Sequence, residues 1–220
     1  MIGVLYMNNW KSEKNDERIK VFLDTEFTGL HKNTTLISLG ITSEFGDSFY
    51  AEFTDYDRES IENDKWIQYN VINNLVFGTT LNTISTQEVS IVDVFSDFSH
   101  SIKRNRRKTE VKGTKEEIVP YLIEWLQSIR EDDCRQIEFW SDCLAWDWVL
   151  FVDLFGTSFD LPDYIYPYPM DICTLFRYKG IDPDISREEF SGYDKKDNKH
   201  NALFDSEVIK ACFEKLVNEI

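Results

Sequence analysis

The pattern of apolar and polar positions predicts a mixed α/β fold that opens with three strands. Three segments near the start are rich in β-branched and aromatic residues and are separated by breaks containing glycine or asparagine: residues 19 to 27, 35 to 43 and 47 to 56. Gly46 and Asp47 supply a turn signal between the second and third segments. We therefore expect the first three strands to form an antiparallel meander.

The pattern is weaker between the third strand and the middle of the chain. Residues 62 to 76 predict a helix whose apolar face would consist of Trp66, Val71, Ile72 and Val76. Residues 77 to 112 are polar and irregular and predict no regular element. A crowded basic segment is predicted to lie in a loop: Lys103, Arg104, Arg106, Arg107, Lys108, Lys112 and Lys115. A solvated charged loop and a phosphate-contacting patch are equally good interpretations of it.

The second half of the chain predicts one buried strand surrounded by helices. Thr114 and Glu117 have the spacing of a capping box and begin a helix that runs to about Arg130. Its inward face would consist of Ile118, Tyr121, Leu122, Trp125 and Leu126. The other predicted elements are a strand at 136 to 142, a short helix at 145 to 156 ended by Gly156, a mostly irregular stretch at 157 to 199 with a short helix around 171 to 178, and a final helix from His200 to Asn218.

Composition favours a single soluble domain. A chain of 220 residues with 42% hydrophobic residues can bury a sizeable core. Residues 1 to 18 end in a charged run and predict an extension ahead of a domain at residues 19 to 220. No stretch approaches the roughly 20 apolar residues of a membrane helix, and the chain start lacks the features of a secretory signal. We expect a cytoplasmic protein whose four cysteines are reduced thiols, since none forms a C-x-x-C pair.

The formal net charge of −16 argues against a protein that coats long nucleic acid. Such binding depends on many basic side chains that displace counterions from the phosphates. The charge is compatible with a nuclease, because a site built from carboxylates is anionic until metal ions neutralise it. Basic residues are then needed only close to the site.

Four acidic residues occupy positions that the apolar pattern assigns to the interior. Asp24 and Glu26 are two residues apart on the first predicted strand, so their side chains project from the same face. Asp147 and Asp205 each lie on the apolar stripe of a predicted helix. An unpaired buried charge costs several kcal/mol. Four such carboxylates without matching buried lysine or arginine predict bound divalent cations, Mg²⁺ or Mn²⁺.

With these acids in view, the sequence resembles the DEDDh branch of the DnaQ-like 3′-5′ exonucleases. The segment VFLDTEFTGL resembles the family's D-x-E motif and contains Asp24 and Glu26. The segment HNALFDSEV resembles its H-x-x-x-x-D motif and contains His200 and Asp205. The middle motif, an Asp at the start of a helix after a later strand, is matched by Asp147 in FWSDCLAWDWVLF.

The middle motif is the least specific of the three. Asp142 competes with Asp147 for it, but Asp142 lies at the end of the predicted strand and not on the inner face of the helix. Trp148 stands where some relatives have histidine. The tyrosine variant of the family would need a tyrosine at the position of Asn201, so the resemblance assigns the general base to His200. The alternative for His200 is a cap of the last helix.

The resemblance implies an RNase H-like mixed sheet flanked by helices and hydrolysis assisted by two Mg²⁺ or Mn²⁺ ions. The four carboxylates would hold the ions, with Asp24 shared by both, and His200 would accept a proton from the attacking water. The residues after the first motif would bind the terminal nucleotide through backbone amides and an apolar side chain: Phe27, Thr28, Gly29 and Leu30. For Phe27 and Leu30, core packing is an equally good interpretation.

Within this superfamily, residues 19 to 218 look most like a group of small bacterial and phage exoribonucleases. This likeness predicts release of nucleoside 5′-monophosphates from the 3′ end of RNA or other single-stranded nucleic acid. Three alternatives stay open: a 3′-5′ DNA exonuclease, a hydrolase of very short oligonucleotides, and a nuclease fold that binds without catalysis. Several relatives assemble as dimers, so a homodimer also stays open.

Overall fold

The structure, a computed structural model, describes residues 18–78, 84–89, 106–130, 135–193 and 199–218. The extension predicted at residues 1 to 18 lies outside these residues, except for Arg18. No helix in the described part of the chain is both long enough and apolar enough to cross a membrane.

The described residues form a seven-stranded mixed sheet, in the order β4-β5-β3-β2-β1-β6-β7. The strands are β1 Ile19–Phe27, β2 Leu36–Ser43, β3 Ser48–Phe53, β4 Ile84–Val89, β5 Arg106–Gly113, β6 Ile137–Ser141 and β7 Met170–Asp171. The predicted antiparallel meander is confirmed, because β2 pairs antiparallel with both β1 and β3. Strand β6 then pairs parallel with β1, and β5 parallel with β3. With helices on both faces, this is the expected RNase H-like arrangement.

The described helices are α1 Arg58–Ile61, α2 Lys65–Asn70, α3 Lys115–Arg130, α4 Ala145–Asp153, α5 Ile172–Tyr178, α6 Arg187–Ser191 and α7 Ala202–Asn218. The capping box of α3 is confirmed, since the Thr114 amide donates to Glu117 Oε2 at 2.8 Å. Two details differ from the prediction. Helix α4 ends at Asp153, three residues before Gly156, and α6 lies in a stretch predicted to be mostly irregular.

Two hydrophobic cores lie on opposite faces of the sheet. Val21 and Leu23 of β1 pack with Trp125 of α3 and Phe151 of α4 on one face. Phe22, which points the other way, packs with residues of α5, α6 and α7 on the second face. This alternation follows from the period of two along a strand, so a strand buried on both faces has apolar residues at both parities. Asp24 and Glu26 therefore share the face that α7 covers.

The predicted helix at 62 to 76 is wrong in its extent and in two of the four residues of its apolar face, whereas Val71 is buried and Ile72 partly buried as predicted. Trp66 is 55% exposed and Val76 is 57% exposed, whereas Ile67 and Val71 are buried. The chain here forms α2 and a 3₁₀ turn at Ile72–Asn74 in place of one helix. Ile67 and Val71, four residues apart, pack with Ile37 of β2, and this pair sets the rotation of α2.

The prediction that residues 77 to 112 are irregular, with the basic segment in a loop, is also wrong. Residues 84–89 and 106–113 form the antiparallel pair β4 and β5. Buried Thr109 and Val111 alternate with the charged residues Lys108, Glu110 and Lys112 along β5, which is the period of a strand. The basic side chains are paired with acids, Lys108 with Glu110 at 2.7 Å and Lys112 with Glu52 at 3.5 Å. Lys103 and Arg104 lie outside the described residues.

The first turn of α7 reaches β1 through a close approach at Gly40. In the β1–β2 register, Gly40 stands opposite Asp24. A Cβ atom at position 40 would lie 2.2 Å from the backbone carbonyl of Ala202, the first residue of α7. Real Cβ atoms do not come that near to backbone atoms, so only glycine permits this packing. The absence of one side chain thus lets the helix that carries Asp205 lie against the strand that carries Asp24.

We predict that Gly40→Ala destabilises the protein by about 1 to 3 kcal/mol, because the backbone of α7 must move away from β2. Denaturant unfolding measures this loss. The nuclease activity expected from the sequence should also fall per folded molecule, since the start of α7 would shift relative to Asp24.

Gly180→Ala is the matched control. Gly180 has a φ of +75° but has open space around its Cβ position. Alanine there costs roughly 1 to 2 kcal/mol through backbone strain alone. If Gly40→Ala lost only as much activity per folded molecule as Gly180→Ala, the close approach would not control the site.

Candidate active site

The predicted acids lie where strands β1 and β6, which run parallel, both end. A cavity of about 430 Å³ opens there, and its walls include Asp24, Asp142, His200 and Asp205. The carboxyl ends of neighbouring parallel strands are the usual position for a site in an open α/β sheet. Helix α7 closes one side of the cavity, because its first turn packs at Gly40.

Glu26, His200 and Asp205 lie close together. One ligand atom from each of the three lies within 4.8 Å of the other two. The distance from His200 Nδ1 to Glu26 Oε1 is 3.8 Å. The backbone amide of His200 donates to Asp205 Oδ2 at 2.9 Å. The first and third sequence motifs, far apart along the chain, therefore meet in space as predicted.

The acids of this group have no lysine or arginine partner among the described residues. Two cations do line the cavity, but each is bound to another acid. Arg187 Nε lies 2.9 Å from Asp142 Oδ2, and Lys199 Nζ lies 3.2 Å from Glu188 Oε1. The negative charge of Asp24, Glu26 and Asp205 is thus left uncompensated by protein side chains.

This concentration of charge shifts the proton affinity of the carboxyls. Burial raises the pKa of Glu26 to about 8, and the charges of Asp205 and Asp147 add to the shift. Burial also raises the pKa of Asp205 to about 7, against the lowering effect of the His200 amide. The pKa of Asp24 is raised as well, first by burial and then by the charge of Asp205. At neutral pH the protein alone therefore holds protons that bound cations would replace.

His200 lies just before α7 and does not cap it. Asn201 is the residue that caps this helix, since its Oδ1 accepts from the Phe204 amide at 3.2 Å. Burial and the charge of Lys199 lower the pKa of His200, so the imidazole is neutral near pH 7.

The segment around His200 is held by residues that sequence reasoning missed. Asn74 Nδ2 donates to the Lys199 carbonyl at 2.8 Å, and Asn201 Nδ2 donates to the Asn74 carbonyl at 3.1 Å. The edge of the Trp66 ring lies against the His200 ring, with 4.9 Å between their centroids. His200 itself has a φ of +64°, an uncommon conformation for a residue with a side chain. The exposed position of Trp66 next to His200 has no signal in the sequence.

Asp147 is buried beside the site but does not line the cavity. Its Oδ1 accepts from the Thr25 amide at 3.0 Å and from the Thr25 hydroxyl at 2.6 Å, and its Oδ2 accepts from the Ser141 hydroxyl at 2.9 Å. Burial raises its pKa to about 6, although the bonds from Thr25 and Ser141 lower it. Asp147 therefore ties α4 to β1 at the residue between Asp24 and Glu26.

Asp142, the other candidate for the middle motif, lies in the cavity wall and is paired with an arginine. The Arg187 guanidinium donates to both of its oxygens at 2.9 Å. A carboxylate paired in this bidentate way attracts a hard cation less strongly than an unpaired carboxylate does. The geometry distinguishes the two candidates. Asp142 faces the cavity but is paired with Arg187. Asp147 is buried and has no lysine or arginine partner among the described residues.

The four residues after the first motif form a tight loop. The Thr28 amide donates to the Thr35 carbonyl at 3.0 Å, and the Gly29 amide donates to Thr34 Oγ1 at 3.1 Å. Both amides are thus used within the loop. The Phe27 ring packs against the core and lies 6.2 Å from Trp146 between centroids, whereas the Leu30 side chain is 74% exposed.

The donor atoms suit hard divalent cations. Carboxylate oxygens are the ligands that Mg²⁺ and Mn²⁺ prefer, and three carboxylates here lack any other cation in the described part of the chain. Bound metal ions would supply positive charge beside these carboxyls. The residues present therefore fit a metal centre.

The comparison with protein families agrees with this chemistry. A family model described as a 3′-5′ exoribonuclease Rv2179c-like domain matches residues 19–217. The match covers most of the chain and includes both β1 and α7. No curated protein matched the chain.

We predict that without divalent ions the protein loses stability as the pH rises from about 5.5 to 8. The carboxyl pKa values of Glu26, Asp147 and Asp205 are higher in the folded than in the unfolded chain, so folding takes up protons. Their contribution is complete below the ordinary carboxyl pKa and is lost as the pH rises through about 6 to 8. A loss of about 2 kcal/mol would lower the melting temperature by roughly 4 to 8 °C.

Thermal unfolding in EDTA across this pH range measures the effect. Mg²⁺ should restore the melting temperature more at pH 8 than at pH 5.5, and Asp205→Asn should flatten the pH dependence. Asp163→Asn, the same change at an exposed acid away from the cavity, should behave like the original protein. A melting temperature that stays constant or rises with pH in EDTA would contradict the charge argument.

Proposed function

The chain belongs to the Rv2179c-like 3′-5′ exoribonuclease family, and from this premise we propose a two-metal mechanism of the DEDDh type for its hydrolysis of RNA. Asp24, Glu26 and Asp205 hold two Mg²⁺ or Mn²⁺ ions, and His200 is the general base. The observation that carries this proposal is the meeting of Glu26, His200 and Asp205 within 4.8 Å, at the cavity whose walls include Asp24, His200 and Asp205.

The bound ions would neutralise the phosphate and stabilise the departing 3′-oxygen. The protein residues bind and orient the substrate and accept the proton. His200, neutral near pH 7, accepts a proton from the water that attacks the terminal phosphodiester. The phosphorus–3′-oxygen bond breaks, and a nucleoside 5′-monophosphate leaves. Asp205 has a second role here, because its carboxylate accepts the His200 amide and fixes the backbone from which the imidazole extends.

Asp147 would act on the second ion through water while holding β1 in place. Its charge contributes to the raised pKa of both Asp24 and Glu26, which supports a position close to the ions. Its bonds to Thr25 fix the strand residue between them. The bidentate pairing of Asp142 with Arg187 supports Asp147 over Asp142 in this role.

The terminal nucleotide would be bound by the loop after β1. Leu30 has the exposed apolar side chain that would abut a base, whereas Phe27 packs against the core. Thr28 and Gly29 would contribute by shaping the loop, because their amides already donate within it. Trp66, exposed beside His200, adds a second aromatic surface. Stacking without base-edge hydrogen bonds would permit trimming of any sequence.

The remaining expectations stand as proposals. RNA is preferred over DNA and over very short oligonucleotides, and single-turnover rates on matched oligomers from dinucleotide to 30-mer measure that preference. We also propose a cytoplasmic location, where the cysteines are reduced. Sedimentation velocity distinguishes a monomer from a homodimer.

We predict that Asp24→Asn lowers the rate of nucleotide release from 5′-labelled RNA by about 1,000-fold or more. Loss of a shared metal ligand removes several kcal/mol of transition-state stabilisation, and each 1.36 kcal/mol is a factor of ten. EDTA should abolish activity, and Mg²⁺ or Mn²⁺ should restore it. Asp163→Asn should retain the full rate. If Asp24→Asn released nucleotides at an unchanged rate, metal-dependent hydrolysis at this site would be excluded.

We predict that His200→Asn lowers kcat by about 10² to 10⁴, the usual contribution of a general base. Asparagine tolerates the left-handed backbone at position 200 better than other side chains do, so the carboxylates should stay in place. The acidic limb of the pH–rate profile should disappear. His31→Asn, at an exposed histidine, should keep that limb. A profile that retains the limb in His200→Asn would assign the base to another group.

A further inference from the structure

A second group of ligands lies in the wall of the same cavity. Asp142, Cys143 and Cys173 each place one donor atom within 4.8 Å of the other two. All three residues line the cavity, yet none belongs to the predicted catalytic set. Cys143 and Cys173 are free thiols, and Cys143 is exposed. The group therefore combines two sulfur donors and one oxygen donor with access from solvent.

The spacing of these donors fits a tetrahedral metal ion. Zn²⁺ binds thiolate sulfur at about 2.3 Å, so two sulfurs on one tetrahedral ion are about 3.8 Å apart. The Cys143 and Cys173 sulfurs are 3.6 Å apart. Cys173 Sγ lies 3.0 Å from Asp142 Oδ1, where the thiol proton bridges the two atoms. Replacement of that proton by an ion requires only a small increase in the distance between Cys173 Sγ and Asp142 Oδ1.

Charge balance is also satisfied. Two thiolates, one carboxylate and one divalent ion carry a net charge of −1. Arg187 supplies the compensating positive charge, since Nη2 lies 3.2 Å from Cys173 Sγ and 2.9 Å from Asp142 Oδ1. The guanidinium is fixed by further bonds to the Ile185 and Pro183 carbonyls, so it is already in place.

We propose that Asp142, Cys143 and Cys173 form a second metal site, which binds a thiophilic divalent ion such as Zn²⁺ with water in the fourth position. Binding replaces two thiol protons: the ion forms two bonds to sulfur, and two protons leave to solvent. Burial and Asp142 raise the pKa of the Cys173 thiol to about 12, so the metal must displace a tightly held proton and its affinity increases with pH. Soft sulfur donors distinguish this site from the carboxylate group, which suits Mg²⁺.

The experiment is a titration of the reduced full-length protein with Cd²⁺, in the presence of a phosphine reductant. The thiolate-to-Cd²⁺ charge-transfer absorption reports sulfur ligation directly, and Zn²⁺ should displace it. We expect one equivalent of Cd²⁺ to produce the band. Cys143→Ser and Cys173→Ser should each weaken binding by at least about 10- to 100-fold, the loss that an outer-shell change alone can cause.

Two controls separate this site from the catalytic one and from the remaining thiols. Cys212→Ala, at a buried cysteine outside the cavity lining, should keep the band. Asp24→Asn should also keep it, whatever that variant does to RNA hydrolysis, so failure of the catalytic proposal leaves this test intact. Circular dichroism should confirm that each variant folds. The proposal is overturned if the reduced protein shows no band at one equivalent, if both serine variants retain it in full, or if Asp24→Asn removes it.

Discussion

The site depends on one constraint, the packing of the first turn of α7 against β1 and β2. Gly40 permits this contact, because any side chain there would meet the backbone of Ala202. The contact brings Asp205 and His200 to a strand that already carries Asp24 and Glu26. Like charges gathered in this way repel, so the fold accepts a local cost. A bound cation would relieve that cost, since it removes the repulsion between the carboxylates.

The sequence predicted the parts of the fold that depend on local periodicity. β1, β2, β3 and α3 carry clear strand or helix patterns, and their predicted positions agree with the structure within a few residues. β5 was missed because its outward positions are almost all charged, and only Thr109 and Val111 mark the buried face. Their pairing with β3 depends on a partner more than 50 residues away along the chain. Local periodicity does not contain that information.

The candidate site, like the fold, was predicted from the sequence only in part. Acids on apolar faces can be identified from spacing alone, so Asp24, Glu26 and Asp205 were visible in the sequence. Trp66 was assigned to a buried face because an aromatic residue at helical spacing is usually apolar core. In the structure Ile67 and Val71 take that face, and the rotation of α2 turns Trp66 towards His200. The anchoring of His200 by Asn74 depends on side-chain bonds between segments 125 residues apart, and single residues of this kind have no pattern to detect.

The two acids near the middle motif show why burial and exposure alone do not identify a ligand. Asp142 faces the cavity, yet Arg187 satisfies both of its oxygens, so its charge is already compensated. Asp147 is enclosed, yet hydroxyl and amide donors leave its charge uncompensated. Electrostatic influence on the site follows net charge and distance more than surface area. Arg187 therefore makes the two parts of the cavity differ in charge. Next to Arg187, Asp142 and the two thiols form a nearly neutral group. The carboxylates on the other side stay anionic. A hard ion would favour these carboxylates, which have no lysine or arginine partner among the described residues, whereas the group of Asp142 and the two thiols would favour a metal that can displace thiol protons.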